Sequence, residues 1–246
     1  MTGTQILPAQ TNTAQSASAQ NSTARPFPGR PADAPAGPEA DGVLPITVAV
    51  AYHSGNGHNA VLARAVRDGA AGAGARAVLI DVERMTDAAW AELDAADAIV
   101  FGAPTYMGTA SAPFHAFAQA SSGRWQARAW LDKVAAGFTV AGAMSGDKLH
   151  TLQYFTVLAS QHGMHWVSLD LLPGWCSSTG SADDLNRLGI TLGAGAQANT
   201  DEGPEAVPPA DADTARHLGA RVAGVAARLG AARAPAAWSA AWGTEG

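Results

Sequence analysis

A tight cluster of small and hydrogen-bonding residues, Ser54-Gly55-Asn56-Gly57-His58-Asn59, stands where a short apolar run gives way to a helical pattern. Its glycines let the backbone curl tightly. The free N–H groups at a helix start, together with the helix dipole, favour an anion. Ser54 and Asn59 can add side-chain donors. The cluster has no lysine and lacks the GxxxxGK(S/T) pattern of a nucleoside triphosphate loop. A loop of neutral donors suits one terminal phosphate. Two other readings stay open on these residues alone. Gly55-Asn-Gly57-His-Asn-Ala60 fits the G-x-G-x-x-A of a dinucleotide site, with Asp81 placed where a ribose-binding acid would stand. An ordinary glycine-rich turn with a Ser or Asn cap fits as well.

Two further loops have a composition suited to a ligand. Phe101-Gly-Ala-Pro104-Thr105-Tyr106-Met107-Gly108 offers a stiff turn at Pro104, a hydroxyl at Thr105, and two side chains at Tyr106 and Met107 that can pack on a flat ring. Phe138-Thr139-Val140-Ala141-Gly142-Ala143-Met-Ser145-Gly146 is built from small residues that let a backbone approach a ligand closely. No metal is expected. His53, His58, His150 and His165 are scattered, no HExxH occurs, and no Asp or Glu joins them at ligand spacing. Cys176 is the single cysteine, so an internal disulfide, a Cys-based metal site and a CxxC pair are excluded.

The elements that must position these loops alternate along the chain. Strands are predicted over Ile46–Tyr52, Arg76–Asp81, Asp97–Gly102, Lys133–Thr139 and Met164–Leu169, each a short apolar run. Helices are predicted over Asn59–Gly69, Asp87–Leu93, Ser111–Ser121, Leu149–Gln161 and Asp211–Leu229. Ser111 is placed to cap its helix, and Pro113 falls in the first turn. Repeated strand–helix alternation implies right-handed crossovers and a parallel sheet covered on both faces. Ligands of such folds sit beyond the carboxyl ends of the strands, at the topological switch point. The three loops begin at Tyr52, Gly102 and Phe138, which are those ends.

Composition narrows the function classes. The 246 residues carry a formal net charge of -6 and no Lys/Arg cluster, which removes the electrostatic footprint of a nucleic-acid binder. No apolar run approaches the roughly 20 residues of a membrane span. The first residues have neither the basic start nor the apolar stretch of a secretory signal, so a cytoplasmic location is expected. Charged residues make up only 15% of the chain, which points to surface buried in an oligomer. Residues 1–44, rich in Ala, Pro, Ser, Thr and Gln, are expected to form a disordered arm. Residues 45–230 are expected to form one domain, and 231–246, with Trp238 and Trp242, a tail.

Taken together the loops carry a resemblance. Tyr52-His-Ser54-Gly-Asn56-Gly57-His58-Asn59 resembles the phosphate loop of the flavodoxin superfamily, in particular that of WrbA-type NAD(P)H:quinone oxidoreductases and NADPH-dependent FMN reductases, where Ser-x-x-Gly-His follows a tyrosine-rich strand end. The loop from Gly102 to Gly108 resembles the family's G-x-P-T-x-x-G, with Tyr106-Met107 in place of Arg-Phe. Gly123-Arg-Trp125 resembles a family Gly-x-x-Trp one residue longer, and His162-Gly163-Met164 matches its His-Gly-Met. The resemblance spans about Ile46 to Leu229. It implies an α/β fold: a flavodoxin-like three-layer sandwich around a five-stranded parallel sheet of order 2-1-3-4-5.

It also implies FMN as cofactor. Ser54 to Asn59 would take the phosphate. Pro104, Thr105, Tyr106, Met107 and Gly108 would pack on the isoalloxazine, with backbone contacts from Thr139, Val140, Ala141, Gly142, Ala143, Ser145 and Gly146. Trp125 would wall the substrate pocket. His162, at a helix end, would donate a hydrogen bond or proton to bound quinone, in its own or a neighbouring subunit; capping the helix is the simpler role. The implied reaction carries electrons from NAD(P)H to a quinone or similar acceptor, in a homodimer or homotetramer. A non-enzymatic electron carrier and a flavin-free partner-binding module of the same fold remain open alternatives.

Overall fold

The structure, a computed structural model, describes residues 46–231. The expected arm over 1–44 and nearly all of the tail, including Trp238 and Trp242, lie outside the described residues. The elements are β1 (Thr47–Tyr52), α1 (His58–Gly72), β2 (Arg76–Asp81), α2 (Asp87–Ala95), β3 (Ala98–Gly102), β4 (Thr105–Tyr106), β5 (Thr109–Ala110), α3 (Ala112–Ala120), α4 (Ser122–Gln126), β6 (Val134–Ala141), α5 (Lys148–Gln161), β7 (His165–Trp166), β8 (Ala194–Gln197) and α6 (Pro209–Ala231).

The main sheet runs β2-β1-β3-β6 in parallel, and both β7 and β8 then pair with β6. This is the expected flavodoxin-like order, with β6 as the fourth strand. The fifth position differs from the expectation. The sequence predicts one strand over Met164–Leu169, but only His165–Trp166 pairs, against Val134 and Ala135 at the start of β6. The chain then leaves the sheet. β8 returns much later and pairs Ala194–Gln197 with Phe138–Ala141 at the far end of the same strand. Residues 167–193 bridge the two halves, pinned by Trp166 Nε1 donating to Leu192 O at 2.9 Å and Leu169 N to Thr191 O at 2.9 Å. The Trp166 ring packs against Gly137 of β6, where a Cβ would stand 2.9 Å from it.

Successive residues of a strand point to opposite faces, so each strand feeds two cores. Val48, Val50, Val100 and Ala136 pack on one side with Leu62 and Val66 of α1 and Leu218 and Val222 of α6. Ala49, Ala51, Ile99 and Phe101 pack on the other with Leu93 of α2, Phe114 and Phe117 of α3, and Leu152 and Phe155 of α5. Burying each such Phe or Leu contributes about 2 kcal/mol. α1 and α6 press together at Gly69 and Gly219, where an added Cβ would meet the backbone of the facing helix. The result is a rigid sheet whose β1, β3 and β6 all end on one edge, where the three loops emerge.

Candidate flavin site

The first loop is shaped for an acceptor. Gly57 holds a left-handed φ of 86° and starts α1, a conformation that costs a residue with a Cβ roughly 1–2 kcal/mol. No acceptor among the described residues meets the backbone N–H groups of Ser54 through Asn59. These donors lie at the N-terminus of α1. Side chains hold the turn closed from behind. Asn59 Nδ2 donates to His53 O at 2.8 Å, and Ser54 Oγ accepts from Ala60 N at 3.0 Å. The His58 ring donates through Nε2 to the carbonyls of Glu202 and Gly203, both at 2.9 Å. His53 Nδ1 and Ser111 Oγ are 2.8 Å apart, which ties the loop to the start of α3.

The second loop folds into a miniature hairpin of β4 and β5. Met107 (φ 49°) and Gly108 (φ 82°) form its two-residue turn, with the positive φ at both positions that a type I′ turn requires. Met107 is fully exposed at the tip. Tyr106 reaches back over the first loop, so that a Cβ on Gly55 would stand 2.7 Å from its hydroxyl. Burial against this neighbour pushes the Tyr106 phenol above its usual value. His150 Nδ1 donates to Gly108 O at 2.6 Å and fastens the hairpin to α5.

A buried chain of hydroxyls joins the second and third loops. Thr139 Oγ1 donates to Ala103 O at 2.7 Å. Its single proton is thereby used, so it accepts from Thr105 Oγ1 at 2.8 Å. Thr105 in turn accepts from Thr151 Oγ1 at 2.8 Å. Thr139 itself is fully buried behind the site.

Between the loops lies a small cleft, about 70 Å³ and open to solvent, lined by Ser54, Gly55, Asn56, His58, Asn59, Pro104, Thr105, Tyr106, Val140, Ala141 and Gly142. Eleven expected residues from three separate loops therefore share one cavity. Gly57, Met107, Gly108, Thr139, Ala143, Ser145 and Gly146 belong to the same loops but do not line it. Sequence reasoning missed two lining residues, Ala198 and Thr200. They follow β8 in a segment whose Pro204 would be 2.5 Å from a Cβ on Gly57 and whose Thr200 would be 2.7 Å from one on Gly142. The turn-rich run Asn199-Thr-Asp-Glu-Gly-Pro204 was the available signal.

The residues present fit a flavin mononucleotide. Asn59 Oδ1 is buried in the cleft wall and has no partner among the described residues, which gives a sugar-alcohol hydroxyl an acceptor. Gly55 and Gly57 let Tyr106 and Pro204 pack closely on the loop, where a Cβ would stand 2.7 Å and 2.5 Å from them. Among the described residues no group of His, Cys, Asp and Glu could hold a metal ion, and no helix is long and apolar enough to cross a membrane.

Two expected residues lie elsewhere. The 14 residues of α5 run from the cleft end of the sheet to the opposite end, about 20 Å at 1.5 Å per residue. His162 caps that far terminus, and Gly163 O accepts from Asp132 N just before β6 begins. Its ring lies 4.3 Å from that of Trp130, centroid to centroid. Ser121 Oγ donates to Ala118 O at 2.7 Å, so His162 Nε2 must supply the proton for their 2.9 Å bond. Nδ1 is then a bare acceptor, buried and without a partner among the described residues. A second proton there would meet neither solvent nor an acceptor, and burial holds the ring below the usual histidine range. Trp125, half-exposed on α4, is at the same end, where its neighbour Arg124 pairs with Asp94 at 3.1 Å. Neither side chain meets the cleft of its own chain. The hydrogen-bonding geometry of His162 is that of a packed, neutral helix cap.

Comparison with known proteins agrees with this geometry. Residues 45–171 match the family described as NADPH-dependent FMN reductase. The chain is 44% identical over 181 residues to flavodoxin FldP of Pseudomonas aeruginosa, covering 73% of this chain and 96% of that protein. It is 31% identical over 204 residues to an NAD(P)H dehydrogenase (quinone) of Gluconacetobacter diazotrophicus, covering 75% and 98%. A crystal structure of a WrbA-like flavodoxin from Agrobacterium tumefaciens superposes with a TM-score of 0.59 at 42% identity, covering 74% of this chain and 98% of the other. A neutral glycine-rich loop, two further loops of small and hydroxyl residues at the adjoining strand ends and a matching family signature agree: the chain belongs to the NADPH-dependent FMN reductase family of flavodoxin-like oxidoreductases.

Proposed function

We propose that the protein binds FMN and transfers electrons from NAD(P)H to a quinone or a related two-electron acceptor, working as a homodimer or homotetramer. One observation carries the cofactor reading: the backbone N–H groups of Ser54 through Asn59, at the start of α1, have no acceptor among the described residues, in a loop with no charged side chain. Such a loop matches one terminal phosphate. FMN when bound supplies the hydride-accepting and electron-donating chemistry. The protein's part is positional. Gly55 and Gly57 admit the phosphate, Asn59 offers Oδ1, and Tyr106 stands as a wall over the first loop. The Thr151–Thr105–Thr139 chain keeps the second and third loops in fixed register. The exposed Met107 and Tyr106 leave an apolar rim for a flat organic acceptor. A role for His162 or Trp125 at the cleft would require a neighbouring copy of the chain.

The relative named NAD(P)H dehydrogenase (quinone) supports the enzymatic reading, and the relative named flavodoxin supports a second one, a non-enzymatic electron carrier. Steady-state kinetics separates them. Purified protein should oxidise NADH or NADPH with benzoquinone, giving parallel double-reciprocal plots because both substrates take turns at one exposed face. Protein that holds FMN, identified by chromatography of the released flavin, yet gives no turnover is the carrier. Release of FAD would overturn the phosphate-loop argument itself.

A further inference from the structure

The third loop is held by side chains that take four successive carbonyls, those of Gly142 to Ser145. Lys148 Nζ donates to Ala143 O at 2.7 Å, Met144 O at 2.8 Å and Ser145 O at 3.2 Å. Gln197 Nε2 donates to Gly142 O at 2.9 Å. An ammonium has three N–H bonds, and here all three are used. Lys148 is only 1% exposed, and lysines are almost never buried so fully unless paired. The trans peptide sets each carbonyl opposite the next N–H. Drawing the carbonyls of 142–145 toward Lys148 and Gln197 therefore turns the N–H groups of Ala143 through Gly146 the other way. No described residue accepts from them. Gly142, where this row begins, lines the cleft.

We propose that Lys148 is a positioning residue for the flavin: its ammonium fixes the third loop so that the N–H groups of Ala143 to Gly146 stand preorganised as donors to the acceptor-rich edge of the isoalloxazine ring. The inference rests on the FMN reading of the cleft. A donor row fixed before the ligand arrives costs nothing to order on binding.

The charged groups around Lys148 are few. Arg187, from the segment between β7 and β8, and Asp211 of α6 form a buried pair, Nε to Oδ1 at 2.8 Å and Nη2 to Oδ2 at 2.8 Å. Asp211 Oδ2 also accepts from Gln197 N at 3.0 Å, so the pair steadies the second carbonyl donor too. On α5 itself, Asp147 precedes Lys148 and His150 is engaged with Gly108 O. Burial pushes the Lys148 amine down to about 8, with Asp211 opposing and Arg187 adding to the shift. A neutral amine keeps two N–H bonds and turns a lone pair toward a carbonyl, so the loop loosens above that pH.

The test is FMN titration of the full-length protein, followed by quenching of flavin fluorescence from pH 7 to 9.5. The wild-type Kd should rise about tenfold across a step near pH 8. Lys148→Met, shown folded by circular dichroism, should bind at least tenfold more weakly at pH 7 and show no such step. Lys148→Arg keeps its charge throughout and should likewise be flat, while binding more tightly than Lys148→Met. A flat wild-type profile, or a folded Lys148→Met with wild-type affinity, would overturn the proposal. If neither variant folds, the wild-type profile alone decides it. A wild-type protein that binds no FMN at any pH would overturn the flavin reading instead.

Discussion

The hydroxyl of Thr105 donates to that of Thr139 across 2.8 Å of buried space, joining the loop after β3 to the end of β6. Each proton in the chain has one destination, ending at Ala103 O. The second and third loops are thus one mechanical unit, and a ligand held by either is held by both.

Thr139→Val tests this unit. The substitution nearly conserves shape but leaves Ala103 O without its donor and Thr105 without its acceptor. An unsatisfied buried group costs about 1–3 kcal/mol. Chemical denaturation should show a loss of that size. Thr105→Val in the same background should cost less than it does alone, because its partner is already gone. Strict additivity in the double-mutant cycle would show that the two hydroxyls act independently.

Gly57 is constrained twice. Its φ of 86° disfavours any side chain, and a Cβ would stand 2.5 Å from Pro204 Cγ. Gly57→Val should therefore displace the segment that follows β8 as well as block close approach of a phosphate. FMN binding should weaken at least tenfold, about 1.4 kcal/mol. Isothermal titration with FMN is the measurement; a folded variant with unchanged affinity would move the phosphate away from this loop.

His162 should govern stability in mild acid, not electron transfer. Burial lowers its affinity for a proton below that of the unfolded chain. Between the folded value and the ordinary 6.5 the unfolded chain binds more protons, so folding stability falls as pH drops below about 6.5. Above that pH the contribution is complete. Thermal melts of wild type should show this acid loss, and His162→Gln should flatten it. His162→Ala should destabilise by about 1–3 kcal/mol through the lost Trp130 contact and Ser121 bond. Stopped-flow reoxidation by quinone slowed in His162→Ala would instead place this histidine at a neighbouring chain's cleft.

Much of this architecture is legible in the residues themselves. Ile46–Tyr52 and Asp97–Gly102 announce buried strands because they are short apolar runs, with Val48, Val50 and Val100 on one face and Ala49, Ala51, Ile99 and Phe101 on the other. The cleft loops announce themselves because glycine, proline and hydroxyls gather where those strands end. Ala194-Gly-Ala-Gln197 carries no such mark: it is a strand only because β6 offers it unpaired backbone. His162 and Trp125 lie close in sequence to expected elements, yet α5 carries His162 to the far end of the sheet. Lys148 carries no mark in the sequence, because a single lysine opening a helix ordinarily points to water. Its burial depends on three carbonyls that only the folded loop brings together.

The interrupted fifth strand also shapes how the molecule meets copies of itself. A sheet edge with a long row of unpaired backbone groups invites another chain to add a strand. On the β6 side that row is broken into two residues of β7 and four of β8, separated by a long excursion. The opposite margin, β2, is continuous over six residues, with Arg76 at its start held by Glu92 at 2.8 Å. Among the described residues, strand addition is thereby discouraged at the β6 margin by discontinuity, which leaves the continuous β2 as the margin open to it.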